Sequence, residues 1–164
     1  MPEPGGPDPV PQSAPPKLWS VEEANASLDR LRELLPQLKA WAVRLGKVHA
    51  ELQRLSQFWG KELTAQDIPD RDLKLRLEEE WKRLTARLEG EVKRLEAEGI
   101  TVKDLENGLV DFYSRRRGEV VYLCWRRGEA EVANWHPLTG GFRSRRPLEG
   151  KGRAAPTARL GHDR

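Results

Sequence analysis

From residue 24 onward, apolar positions recur at steps of three and four. Ala24, Leu28, Leu31, Leu34, Leu35, Leu38, Trp41, Ala42, Leu45, Val48, Leu52 and Leu55 form one stripe along a helix predicted to run to Trp59. Ser20 marks its start: Glu23 follows three residues later to complete a capping box, and Glu22 suits the positive end of the helix dipole. Pro36 removes a helical hydrogen bond and Gly46 weakens the local backbone, so a kink is expected near one of them. The pattern breaks over Gly60 to Asp70, which reads as a loop. It resumes with Leu73, Leu77, Trp81, Leu84, Leu88, Val92 and Leu95, and Gly99 is the natural stop. Two long helices joined in this way must pack antiparallel, with Trp41 and Trp81 expected in the seam and His49 buried on the stripe or at its rim. The stripe of the first helix outruns what the second can cover, so a homodimer through the helical hairpin is expected.

Past residue 100 the period changes from helical to alternating. Leu109 to Tyr113, Val120 to Trp125 and Ala130 to His136 read as strands, and Thr101 to Lys103 as a short fourth. If Arg127-Gly128 is a two-residue hairpin turn, Val110, Phe112, Val121, Leu123, Trp125, Ala130 and Val132 share the face that covers the helices. Asp111, Tyr113, Tyr122, Cys124, Glu131 and Trp135 then lie on the other; a three-residue loop would exchange the faces of the last strand. The predicted fold is α+β, a long antiparallel helical hairpin packed on a small antiparallel sheet of three to four strands. It forms a single domain over residues 19–148, with the hairpin at 20–99 and a β cassette at 100–148. Residues 1–18, which carry most of the prolines, and the basic residues 149–164 are expected to be disordered tails.

Composition narrows the function. The net charge is only +3, but it is uneven, because the third of the chain from Ser114 onward carries most of the excess Lys and Arg. A single cysteine, Cys124, excludes an internal disulfide and fits a reducing cytoplasmic setting. No run is long and apolar enough to span a bilayer, so no membrane association is expected. Arginines cluster at Arg115 to Arg117, at Arg126 and Arg127, and at Arg143, Arg145 and Arg146. Such groups beside Tyr and Trp can dock an acidic protein, bind phosphates or stack on bases.

The candidate binding surface comprises Lys103, Asp104, Asp111, Tyr122, Cys124, Glu129, Trp135, His136, Arg143 and Arg145. Asp111 sits among apolar neighbours and needs a partner, which a nearby arginine could supply as a structural salt bridge. Cys124, mid-strand, reads as a small buried apolar residue. Asp111, Cys124, Glu129 and His136 are the plausible metal ligands, but they lack a recognised ligand spacing, so neither a metal site nor a cofactor is expected.

The order VKDL, GLVDF, YLCW, GE, NWH, GF and R-x-PL, from Lys103 and Asp104 through Asp111, Cys124, Glu129 and His136 to Arg145 and Pro147, resembles an uncharacterised bacterial family. In that family, a domain of unknown function, a long helical hairpin precedes this cassette. Tyr113 and Ser144 depart from the pattern, standing where a proline and a glycine are usual. The resemblance implies a fold and a candidate surface, and no reaction. The leading expectation is a non-enzymatic macromolecular interaction module that uses the Trp- and Arg-bearing cassette to hold a protein partner. The alternatives are RNA, ribosome or DNA binding through the Arg-rich turns and C-terminal tail, and an enzyme or small-ligand protein using Asp104, Asp111, Cys124, Glu129 and His136, or a metal-binding one using the last four.

Overall fold

The computed structural model describes residues 17–149, so the expected tails lie almost wholly outside the described residues. Helix α1 spans Val21–Trp59, with the Ser20 and Glu23 capping box formed and Pro36 inside the helix. A 3-10 turn at Gly60–Thr64 leads to helix α2, Arg71–Ala97. Gly99 follows α2 with φ +81°, and a Cβ there would stand 2.6 Å from the Lys17 carbonyl oxygen. Glycine is therefore required both by the backbone conformation that ends the helix and by the closeness of the incoming chain. The incoming chain is pinned at the same place: the Trp19 indole N–H donates to the Glu98 carbonyl at 2.8 Å, and the ring meets Phe112 edge-on at 5.4 Å.

The sheet has five antiparallel strands in the order β1 Ile100–Asp104, β2 Leu109–Arg116, β3 Glu119–Arg126, β4 Asn134–Pro137 and β5 Arg146–Pro147. This is one strand more than the largest number expected, because the chain returns after β4 to pair Arg146 with Trp135. The β2–β3 turn is formed by Arg117 and Gly118, both at positive φ, as a two-residue primed turn demands. It sets Asp111 opposite Cys124 and Phe112 opposite Leu123.

The helix-side face carries Val110, Phe112, Leu123 and Trp125, packed with Ala24, Leu28, Leu31, Leu35 and Leu38 of α1 and Leu95 of α2. The hairpin then continues beyond the sheet around a second, smaller cluster of Val48, Leu77 and Leu84. Trp41 packs against both clusters. Trp81 does not enter the seam as expected: it is 39 % exposed, since α1 covers the face of α2 centred on Leu77 and Leu84. His49 is likewise exposed, one position past the buried Val48.

The strand expected over Ala130 to His136 is shortened to Asn134–Pro137. The Arg127-Gly128 turn forms, with the Glu129 N–H donating to the Arg126 carbonyl at 2.9 Å, but the chain does not pair onward from it. Residues 130–133 are drawn onto α1 instead, where the Val132 N–H donates to Asn25 Oδ1 at 2.7 Å and Arg32 donates to the Ala130 carbonyl at 2.8 Å. The longer connection shifts the register, so Trp135 pairs with Leu123 and His136 with Tyr122. Cross-strand partners share a face, so Trp135 belongs to the helix side and His136 to the outer side. This corrects the expected position of Trp135, and Glu131 lies in the connection rather than on a strand.

Candidate functional site

The outer face of the sheet brings Asp111 from the middle of β2, Cys124 from β3 and His136 from β4 to one place. They are 1 %, 0 % and 1 % exposed, and one ligand-capable atom from each lies within 4.8 Å of the other two. The helices do not cover this face. The β4–β5 connection does: Gly141 and Phe142 close a cavity of about 350 Å³ together with Thr101, Lys103, Leu109 and Asp111.

His136 fixes the chemistry of the cluster. Its Nδ1 stands 2.9 Å from the Pro137 carbonyl oxygen and its Nε2 3.0 Å from Asp111 Oδ2. A carbonyl oxygen only accepts, so Nδ1 carries a proton. In the neutral ring Nε2 would then present a lone pair to a carboxylate oxygen, two acceptors face to face. A second ring proton resolves the conflict and creates a buried imidazolium–carboxylate pair. Burial opposes that charge, but the hydrogen bond to Asp111, the carboxylate charge and the Pro137 carbonyl outweigh it and raise the His136 pKa above its ordinary 6.5, with Lys103 pulling the other way. The thiol of Cys124 is pushed far up, first by burial and then by the Asp111 charge. Asp111 Oδ1 is buried without a hydrogen-bond partner.

A raised folded-state pKa means that the native protein holds the proton more tightly than the unfolded chain does. The stability from the ion pair is therefore fully present below pH 6.5 and is lost as pH rises through the higher folded value. In metal-free protein the urea midpoint should fall across that alkaline window. His136→Gln should abolish this component of the pH dependence.

The other expected site residues are distributed differently. Tyr122 is buried beside His136, ring centroids 5.3 Å apart, and its hydroxyl donates to the Tyr113 oxygen at 3.1 Å. Lys103 Nζ lies 5.5 Å from the Tyr122 ring centroid. Asp104 closes the β1–β2 turn by accepting from the Asn107 backbone N–H and side-chain amide, at 3.0 and 2.7 Å. Glu129 does not join the cluster. Both its oxygens accept from Arg145 Nη2 at 2.8 Å, and one also accepts from the Arg126 backbone N–H. Arg143 is exposed in the 3-10 turn of the β4–β5 connection. Asp111, Tyr122 and His136 are thus interior groups, not parts of the expected binding surface; Cys124 is buried, as expected of a mid-strand cysteine, and the partner of Asp111 is a histidine rather than an arginine.

At the sheet edge a separate feature forms that the cassette residues did not foretell. Two guanidinium groups lie over the Trp135 ring, with Arg116 Cζ 5.1 Å and Arg146 Cζ 5.3 Å from its centroid. They line a cavity of about 380 Å³ with Arg117, Glu119 and Glu149. The Glu149 carboxylate pairs with Arg117 and stands 3.2 Å from Arg116. Trp135 and both arginine clusters stood out in the sequence, but their convergence depends on the pairing of Arg146 with Trp135 through the two-residue strand β5.

Residues 17–148 match a family of uncharacterized conserved proteins, DUF2203. The chain belongs to DUF2203. Comparison with curated proteins and with solved structures gives no match. The family match covers hairpin and sheet together, so the interior cluster and the edge pocket of this DUF2203 chain both fall within it. No helix among the described residues is long and apolar enough to cross a membrane.

Proposed function

We propose that this DUF2203 chain is an interaction module whose Arg116–Trp135–Arg146 pocket receives an acidic segment of a protein partner. The observation that carries the reading is the pairing of the Glu149 carboxylate with Arg116 and Arg117 at the mouth of that pocket. A carboxylate of the chain itself already occupies the position a partner's acidic side chain would take, and Trp135 supplies an apolar wall beside it. Aromatic and arginine side chains at a partly dry pocket are the usual anchors of binding energy. Nucleic-acid binding has weaker support. Arg115 to Arg117 and Arg126 lie at opposite ends of the eight-residue β3 hairpin, and Arg126 and Arg145 are turned onto Phe142, at 5.5 and 4.7 Å. Together these groups form no single phosphate track.

Pull-down with the full chain from nuclease-treated lysate should recover a partner that a synthetic Glu-rich peptide displaces. Trp135→Ala or Arg146→Ala should weaken binding of that peptide by about 30-fold or more, as loss of an anchor residue does. Peptide affinity unchanged in both variants would refute the reading, as would capture that depends on RNA.

The helical hairpin supports a second role, self-association. Leu73, Leu75 and Trp81 on α2 and Val43 on α1 are exposed, which leaves apolar surface beside the seam. Sedimentation should show a dimer that Trp81→Glu dissociates; a monomer at all accessible concentrations would eliminate this role.

A further inference from the structure

The acceptor conflict at His136 has a second resolution besides an extra proton. We propose that Asp111, Cys124 and His136 form a binding site for a zinc-class divalent cation, beside the cavity that Asp111 lines together with Phe142. Three features converge on a cation. The ring orientation is that of a metal-ligating histidine, with Nδ1–H donating to a backbone carbonyl and the Nε2 lone pair aimed inward. Asp111 offers a second, unpartnered oxygen in the same enclosed space. The donors are one nitrogen, one sulfur and one carboxylate oxygen, a set that suits Zn²⁺ with three protein ligands and an open position.

Without a cation, one proton bridges Nε2 and Oδ2 and the Cys124 thiol keeps its own proton toward Asp111. A cation takes the nitrogen, the carboxylate and the thiolate together. The ligand atoms lie between 3.0 and 4.8 Å apart, whereas ligand atoms around a tetrahedral zinc are separated by about 3.3–3.6 Å. Side-chain rotation of about 1 Å therefore suffices. The charges also balance, since one thiolate and one carboxylate neutralise a dication. Loading would displace the thiol proton and the second imidazole proton to solvent, because coordination requires both ligands deprotonated. Lys103, whose charge already acts against the imidazolium, acts against a cation in the same sense, so affinity rests chiefly on the thiolate. Sequence spacing concealed the site because the ligands come one from each of three neighbouring strands and meet only through the sheet register.

The test uses the untagged full chain, stripped with chelator and titrated with Zn²⁺ and separately with Co²⁺. Cys124 is the only cysteine, so a thiolate-to-cobalt charge-transfer band reports on it alone. The expected result is saturable binding of a single Zn²⁺ and a cobalt adduct with that band and tetrahedral visible absorption. Cys124→Ser, nearly isosteric, should keep the far-ultraviolet circular dichroism, lose the band and bind Zn²⁺ at least ~100-fold more weakly. His136→Gln should weaken binding similarly. Absence of the band in the wild-type chain would overturn the proposal without reference to any variant. So would Zn²⁺ affinity that is unchanged in both substitutions. Neither result bears on the acidic-segment pocket, which lies on the opposite face of β4.

Discussion

Replacing His136 by alanine should destabilise the metal-free protein by about 3–5 kcal/mol, the range for removing one partner of a buried ion pair. Asp111 and His136 are both 1 % exposed and 3.0 Å apart, so the lost imidazole leaves a buried carboxylate without its hydrogen-bonded countercharge. Much of the cost is the burial of an Asp111 carboxylate that has lost its hydrogen-bonded partner, not the worth of the pair itself. The double substitution Asp111→Ala with His136→Ala should therefore cost less than the sum of the two single ones, since no charge is then stranded. Urea unfolding of the four proteins of this cycle, in the presence of chelator, measures the difference. The surface pair Arg30–Glu98, with side chains 49 % and 34 % exposed, is the control. Its Arg30→Ala variant should lose no more than about 1 kcal/mol, because water and salt screen that contact. A His136→Ala cost no larger than that of Arg30→Ala would mean that the cluster is neither charged nor tightly enclosed.

Local and long-range information divide sharply in this chain. Helix α1 and its cap were legible because every signal lies within four residues of the position it decides: Ser20 with Glu23, then leucines at steps of three and four. Gly99 was legible for the same reason. The pairing of Asp111 with Cys124 was also accessible, because the tight Arg117-Gly118 turn fixes the register of β2 against β3. The last strand was not. The Arg127-Gly128 turn is real, but whether the chain pairs at once or first crosses to Asn25 and Arg32 on α1 depends on residues about a hundred positions away. That detour moves Trp135 to the helix side and places His136 over Asp111. The fifth strand and the cover supplied by Phe142 were hidden likewise, since a two-residue strand leaves no periodic signature.

Trp125→Ala should cost about 3–5 kcal/mol, the range for deleting a large aromatic from a packed core. Trp125 is fully buried on the helix-side face, with Arg32 Cζ 5.7 Å from its ring centroid. Its indole N–H donates to the Glu129 carbonyl at 3.0 Å. Deleting the ring leaves a cavity beside α1 and frees that carbonyl together. Trp125→Phe separates the two effects. It retains most of the aromatic volume and should cost roughly half as much, or about 2 kcal/mol, from the lost hydrogen bond and the residual void. Glu129 is also the residue that holds Arg145 through its carboxylate, and Arg145 in turn lies 3.5 Å from the Cys124 carbonyl on the outer face. A defect at Trp125 should therefore be felt at Cys124, its neighbour on β3, and through Glu129 at Arg145. Hydrogen exchange should show faster exchange around Glu129 and Cys124 in Trp125→Ala, with the Val48, Leu77 and Leu84 end of the hairpin little changed. Uniform loss of protection along the whole chain would instead mean that sheet and hairpin unfold as one unit.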